Sequence, residues 1–179
     1  MIYVLLGEGF EEVEAITPVD VLRRCGASVQ TAGIGGLTVK GAHGITVQAD
    51  CSVEAVDRAS LEMIVIPGGL GGVASINASV PALTAIKNAW ADGKYVAAIC
   101  AGPTVLAGLG ITEGRRVTSY PGTDTQMGPV DYREDKVVTD GKLITSRGPG
   151  TALAFSLKLA ETMCGGEAAK QTAAGMLAE

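Results

Sequence analysis

One cysteine stands where a buried strand meets the start of a helix. Val96–Ile99 is short and apolar, Cys100 follows it directly, and Pro103–Leu109 has the pattern of a helix. A nucleophile at such a strand-turn-helix junction is exposed on a sharp turn. The N-terminus of the helix stabilises a thiolate through its partial positive charge and free N–H groups. The segment therefore predicts a reactive thiol, although a structural cysteine buried between strand and helix has the same local pattern.

A second strand end carries four carboxylates within Gly7–Glu14. Glu11 and Glu12 fall in the first turn of a helix, where acidic side chains interact favourably with the helix dipole. Glu14 lies in an otherwise apolar stretch and is interpreted as pointing at the thiol, the alternative being that all three face water. Burial and a neighbouring thiolate would raise the pKa of Glu14. It would then donate a hydrogen bond to sulfur or act as a general acid or base near neutrality.

A third strand end, Pro67–Gly72, is rich in glycine. Backbone N–H groups in such a turn suit a developing oxyanion, although a plain flexible turn has the same composition. A dinucleotide fingerprint is excluded, because Glu12 occupies the third glycine position after Gly7 and Gly9. The sequence also argues against a conventional Cys-His-Asp triad, since no histidine follows Cys100 and His43 precedes it in a predicted hairpin.

The cysteines exclude several other sites. They are Cys25, Cys51, Cys100 and Cys164, at spacings of 26, 49 and 64 residues. No C-x-x-C pair exists and the chain has one His, so we expect no metal site and no thioredoxin-type dithiol. A disulfide framework is not expected without secretion. Three of the four thiols are predicted to be small buried hydrophobes.

Composition indicates a single domain spanning 1–179 with a substantial core. The chain has 179 residues, 47% of them hydrophobic and only 18% charged, with a net charge of −5. An acidic chain without a basic run argues against nucleic-acid binding. It contains no run of 18 apolar residues, so no membrane span is expected. The N-terminus has the pattern of a strand rather than a signal peptide, which predicts a cytoplasmic protein.

The elements that must position these residues alternate between strand and helix. Strands are predicted at 2–6, 28–34, 61–66 and 95–99, helices at 11–24 (through Pro18), 79–90, 103–109, 152–163 and 167–177, and hairpins at 37–50 and 137–144. This rhythm predicts an α/β fold with a doubly wound, mostly parallel sheet and antiparallel edges from the two hairpins. Ligands bind such sheets at the carboxyl ends of the strands, so the three strand ends above form one predicted site.

Four motifs in register resemble the ThiJ/PfpI superfamily, in particular its DJ-one/YajL-like branch. They are Gly9–Ala15, Ile66–Gly69, Ala97–Thr104 and Thr145–Thr151. The likeness runs from residue 2 to about residue 175. It implies a flavodoxin-like fold, a class I glutamine amidotransferase-like domain, no cofactor, and a homodimer.

The resemblance also implies roles for individual residues. The family's oxidation-prone cysteine falls on Cys100, its protonated glutamate on Glu14, and its oxyanion amides on Gly69 and Ala101. Family comparison further places three residues near the site or the dimer seam, namely Arg24, His43 and Pro149. Several relatives carry a His where this chain has Tyr120, and a phenol with an ordinary pKa of about 10 is poorly suited to shuttle protons at neutral pH.

The resulting prediction is a cysteine-dependent stress-response protein that acts on a small reactive carbonyl or a glycated substrate, as a glutathione-independent glyoxalase or deglycase. The alternative is a redox sensor or chaperone in which Cys100 oxidises to sulfinate with little or no turnover. A third hypothesis is a dimeric scaffold with a vestigial pocket. Because Tyr120 stands where several relatives have a His, robust glyoxalase turnover is in question. Tyr120 is expected at least to line the pocket.

Overall fold

The computed structural model describes residues 1–178, which form eleven strands and six α-helices. The strands are β1 (Ile2–Leu6), β2 (Val29–Gly33), β3 (Thr38–Lys40), β4 (Thr46–Gln48), β5 (Cys51–Ser52), β6 (Met63–Ile66), β7 (Tyr95–Ile99), β8 (Arg116–Val117), β9 (Asp131–Tyr132), β10 (Val137–Asp140) and β11 (Leu143–Ser146). The helices are α1 (Glu12–Arg24), α2 (Leu70–Ala78), α3 (Val80–Ala91), α4 (Pro103–Gly108), α5 (Ala152–Cys164) and α6 (Gly166–Gly175).

A seven-stranded sheet runs through the molecule in the order β10-β11-β7-β6-β1-β2-β5. Every neighbouring pair is parallel except β10 and β11. The alternation of side chains along a strand feeds two apolar layers. In β1, for example, Val4 and Leu6 pack in the layer under α1, α5 and α6, whereas Leu5 packs in the layer under α2, α3 and α4. The predicted α/β fold with a mostly parallel sheet between helices is confirmed.

The structure differs from the sequence prediction in three details. The hairpin at 37–50 forms its own two-stranded sheet, β3 with β4, instead of an antiparallel edge of the main sheet. Helix α2 was not predicted, because Gly71 and Gly72 in its first turn are weak helix formers. The strands β5, β8 and β9, two residues each, are too short to show a periodic pattern.

The cysteines also differ from the prediction. All four are free, and each is partly exposed rather than buried. Cys25 and Cys100 border one apolar layer and Cys51 the other. Among residues 1–178, no helix combines the length and the apolar character needed to cross a membrane.

Candidate active site

The loops that follow β1, β6 and β7 meet at one edge of the sheet. These strands are neighbours and run in parallel, so their carboxyl ends lie side by side. Gly68, after β6, ties the loops together: its carbonyl accepts a hydrogen bond from Glu11 N at 3.0 Å, and its N–H donates to Glu14 Oε2 at 2.8 Å. The structure thus brings the three predicted strand ends together.

Cys100 occupies the sharp turn between β7 and α4 in an uncommon backbone conformation. Its φ is 64°, in the left-handed region that side-chain-bearing residues seldom adopt. Two hydrogen bonds hold it there. Cys100 N donates to Ser146 O at 3.0 Å, and Cys100 O accepts from Tyr120 N at 2.8 Å. Strain of about 1–3 kcal/mol is typical of such a residue and persists only where the surroundings fix it.

Glu14 points inward from the first turn of α1 and is completely buried. One carboxyl oxygen, Oε2, accepts the Gly68 hydrogen bond, while Oε1 has no hydrogen-bond partner among residues 1–178. Burial raises the pKa of Glu14 to about 7, against the opposing effect of hydrogen bonds from Cys100 and Gly68. A carboxyl that titrates near neutrality suits the general acid or base that the sequence predicts.

The thiol of Cys100 lies beside this carboxyl. A Cβ built on Gly68 would be 2.6 Å from Glu14 Oε2 and 3.0 Å from Cys100 Sγ, so a glycine is needed where the two side chains meet. The N–H groups of Ala101 and Gly69 also donate toward the sulfur and lower its pKa. These are the two amides that the resemblance assigns to an oxyanion hole.

The protonation state of the thiol differs from the expectation. Burial, the charge of Glu14 and the hydrogen bond with Glu14 together raise the pKa of Cys100 to about 12. Helix α4 has only six residues, and its first amides do not outweigh these effects. The sulfur therefore rests as a thiol, and its proton has to be removed at the moment of reaction.

A cavity of about 550 Å³ opens onto the sulfur. Its lining includes Glu11, His43, Gly69, Leu70, Cys100, Ala101, Tyr120 and Pro149. Six of the eight residues named from the sequence therefore line this cavity by their own atoms, and Glu14 lies directly behind the thiol. Cys100 is partly exposed, so a small molecule in the cavity can reach it.

The family model for the DJ-1/PfpI family matches residues 1–162. The chain belongs to this family. Protein dj-1beta of Drosophila melanogaster is 43% identical over 177 residues, covering 97% of this chain and 95% of that protein. The crystal structure of Drosophila melanogaster DJ-1beta is 41% identical, with a TM-score of 0.95 over 99% of this chain and 97% of that one. A Caenorhabditis elegans protein named glutathione-independent glyoxalase DJR-1.2 is 40% identical over 162 residues, 89% of this chain and 86% of that protein.

The DJ-1/PfpI-type cavity has an acidic and histidine-bearing rim. Glu12 is buried, with 6% of its surface exposed. The sequence predicted the same role for Glu12 as for Glu11, in the first turn of a helix. Its carboxylate accepts hydrogen bonds from His43 N at 2.8 Å and Ile45 N at 3.3 Å, and lies 3.0 Å from His43 Nδ1. The hydrogen bond with Glu12 raises the pKa of His43. Glu12 thus anchors the β3–β4 hairpin to α1 and fixes His43 over the cavity.

The residues of this rim are of metal-binding types, and one ligand atom from each of Glu11, Glu12 and His43 lies within 4.8 Å of the others. The His43 ring lies close to both carboxylates, and the backbone N–H of His43 donates to Glu12. These contacts account for the arrangement of the three side chains. The expectation of no metal and no cofactor stays a prediction.

Arg24 lies elsewhere. It is at the last turn of α1, about 18 Å along the helix from Glu12 at 1.5 Å per residue. Its guanidinium pairs with Asp20 at 2.7 Å, and it lines a separate cavity with Gln171 and Thr172 of α6. Arg24 therefore contributes nothing to the cavity at Cys100 within the described chain, and its place at a dimer seam stays a prediction.

Tyr120 lines the cavity. Its side chain is 49% exposed, its ring lies against Gly148, and its backbone N–H holds the Cys100 carbonyl. Sequence reasoning missed the part played by Gly68 and Glu12. In the sequence, nothing distinguishes Gly68 from the glycines that follow it, or Glu12 from the acidic residues on either side of it. Only the fold shows the contacts that give these two residues their roles.

Proposed function

We propose that this DJ-1/PfpI-family protein is a cysteine-dependent stress-response enzyme that converts α-oxoaldehydes such as methylglyoxal to hydroxy acids without glutathione. The observation that carries the proposal is the buried carboxyl of Glu14 against the thiol of Cys100, with two backbone amides directed at the same sulfur. The name of the Caenorhabditis elegans relative supports the same reaction class. Glycated groups are a second substrate class of the same chemistry. A homodimer, a cytoplasmic location and a single domain stay predictions.

In the proposed reaction, ionised Glu14 takes the thiol proton as Cys100 Sγ bonds to the aldehyde carbon. The carbonyl π electrons move to oxygen, and the N–H groups of Gly69 and Ala101 stabilise that oxyanion. Protonation gives a hemithioacetal. Glu14 then moves the aldehyde-carbon proton to the neighbouring carbon, which leaves a thioester, and water hydrolyses it to lactate and free Cys100. Methylglyoxal and one water yield lactic acid, so no external oxidant or reductant is needed.

The first test removes the nucleophile. We expect Cys100→Ala to reduce lactate formation from methylglyoxal to the rate without enzyme, because no covalent intermediate can form. Lactate is measured enzymatically after incubation without glutathione. Cys51→Ala is the matched control, since Cys51 lies in β5 at the far edge of the sheet and should leave the rate unchanged. Equal rates for wild type and Cys100→Ala would end the proposal.

A redox sensor or chaperone is the second candidate function. It is supported by the same site, because the Gly69 and Ala101 amides and a protonated Glu14 are suitable donors to a sulfinate on Cys100. Oxidation of cysteine to sulfinic acid adds two oxygen atoms and requires an accessible sulfur. Cys100 is partly exposed at the base of the cavity.

Mild hydrogen peroxide separates the two functions. For the sensor we expect a gain of about 32 Da on the tryptic peptide 95–115, which contains Cys100, and on no other cysteine peptide. Glu14→Ala should lower the yield of this product, since a donor to the sulfinate is lost. Gains of the same mass spread over the peptides of the other cysteines would exclude a selective sensor. Absent lactate formation together with selective oxidation would favour the sensor over the enzyme.

A further inference from the structure

Two cysteine thiols lie together at the end of α1 that is opposite the candidate active site. Cys25 is the C-cap residue of α1, and Cys164 is the last residue of α5. Helix α1 has 13 residues, so Cys25 is about 20 Å along the helix axis from the end that carries Glu14. The pair is therefore independent of the Cys100 cavity.

The two thiols share one surface cavity. It has a volume of about 380 Å³, and Cys25 and Cys164 both line it together with Met1, Ile2 and Met163. Both cysteines are free and partly exposed. The two thiols are near enough to interact, because the Cys25 side chain contributes to a raised pKa of Cys164. Since α1 and α5 pack in the same apolar layer, the two helix ends are held side by side by the core of the protein.

The other two cysteines have different surroundings. Cys51 Sγ donates to Thr31 O at 3.7 Å, near the far edge of the sheet, and Cys100 lies against Glu14. Sequence spacing did not reveal the Cys25–Cys164 pair, because 139 residues separate its members. The fold brings them together through the packing of the first and fifth helices.

We propose that Cys25 and Cys164 are a dithiol site that a hydroperoxide oxidises to an intramolecular disulfide. The sulfur of one thiolate attacks the peroxide oxygen; the O–O bond breaks, and sulfenic acid and water or an alcohol form. The second sulfur attacks the sulfenic sulfur and displaces water. The two thiols lose two protons and two electrons in total, and the hydroperoxide is reduced by the same two electrons. A small dithiol reverses the bridge by exchange.

The two cysteines are suited to different steps. Burial and the hydrogen bond with Cys25 raise the pKa of Cys164 to about 11, so its thiol keeps its proton at neutral pH. Cys25 also lines the neighbouring cavity with Gln171 and Thr172, so Cys25 is the sulfur that meets the peroxide and Cys164 is the resolving thiol. The adjacency of the two sulfurs favours the disulfide over further oxidation once the first step has occurred.

The test uses the Cys100→Ala protein, so that oxidation at the cavity does not interfere. After treatment with an equimolar amount of hydrogen peroxide, alkylation and tryptic digestion without reductant, we expect peptides 25–40 and 159–170 to be joined, with a loss of about 2 Da relative to their sum. Dithiothreitol should separate them. Cys51→Ser is the matched control and should leave the joined pair intact, whereas Cys25→Ser and Cys164→Ser should each abolish it.

Two results would overturn the proposal. One is that both cysteines gain oxygen without the two peptides being joined. The other is that the bridge joins two chains, which non-reducing electrophoresis would show as a covalent dimer. Neither result depends on lactate formation, so this site and the proposed glyoxalase activity succeed or fail separately.

Discussion

Replacing Glu14 by Gln is expected to lower lactate formation by about 10²–10⁴-fold, the usual contribution of a positioned general base. The amide keeps the shape of the carboxyl and can still accept the Gly68 hydrogen bond, but it cannot take the proton of Cys100. In wild type, kcat/KM should rise with pH through about 7, where Glu14 ionises. This rise should be absent in the variant.

The same substitution should change how stability depends on pH. Glu14 titrates near 4.5 in the unfolded chain and at about 7 in the folded protein. The folded state therefore binds the proton more tightly, and the resulting stability is fully present below pH 4.5 and lost as the pH rises through 7. At 1.36 kcal/mol per pKa unit, wild type should lose about 3 kcal/mol relative to Glu14→Gln between pH 4.5 and pH 8.

Urea unfolding of both proteins at a series of pH values measures this difference, because all other groups titrate in both proteins. Glu54→Gln is the control, since Glu54 is exposed and remote from Cys100, and its stability should follow wild type at every pH. Parallel stability curves for wild type and Glu14→Gln would show that the carboxyl is not held neutral by burial. An unchanged rate would remove Glu14 from the reaction.

Gly102→Ala is expected to destabilise the protein by about 3 kcal/mol, at the upper end of typical overpacking costs. A Cβ at this position would be 2.6 Å from Ile66 O and 2.9 Å from Ile99 O. Both oxygens belong to the backbone of adjacent strands, which cannot move as a flexible side chain does. The turn that holds Cys100 would have to shift, so lactate formation should fall as well.

Gly108→Ala is the matched control for this prediction. Gly108 is exposed at the end of α4, and a Cβ there would meet no atom within 4 Å. Because alanine favours the helix, this variant should gain about 0.5–1 kcal/mol. The midpoint of urea unfolding measures both effects. Similar stabilities for the two variants would mean that the turn after β7 has room the structure does not show.

Most of the fold was predictable because apolar strand segments alternate with helical segments along the chain. The strands around Leu6, Ile66 and Ile99 are continuous apolar runs because both of their faces are covered by helices. Their order along the chain placed Cys100 and Glu14 at one sheet edge. The antiparallel pairing of β3 with β4 was also readable from their alternating residues, but nothing local showed that this hairpin would leave the main sheet and close over α1.

The features that sequence could not provide depend on long-range contacts. Glu12 and Glu14 differ by two positions in one helix, and only the hairpin over Glu12 and the thiol beside Glu14 give them different tasks. For Cys100, helix polarity alone led to the expectation of a stabilised thiolate. Burial and the neighbouring carboxyl have the larger effects, and both are properties of the folded site.

The alkylation rate of Cys100 by iodoacetamide, followed on peptide 95–115 as a function of pH, examines the coupling of thiol and carboxyl most directly, since only the thiolate reacts. In wild type the rate should climb without a plateau beyond pH 10, in keeping with a thiol pKa of about 12. In Glu14→Gln the alkylation rate should level off at a pH lower than in wild type by about one unit or more, because the neighbouring negative charge is gone. Identical profiles in the two proteins, or a wild-type plateau below pH 9, would contradict a proton held between Cys100 and Glu14.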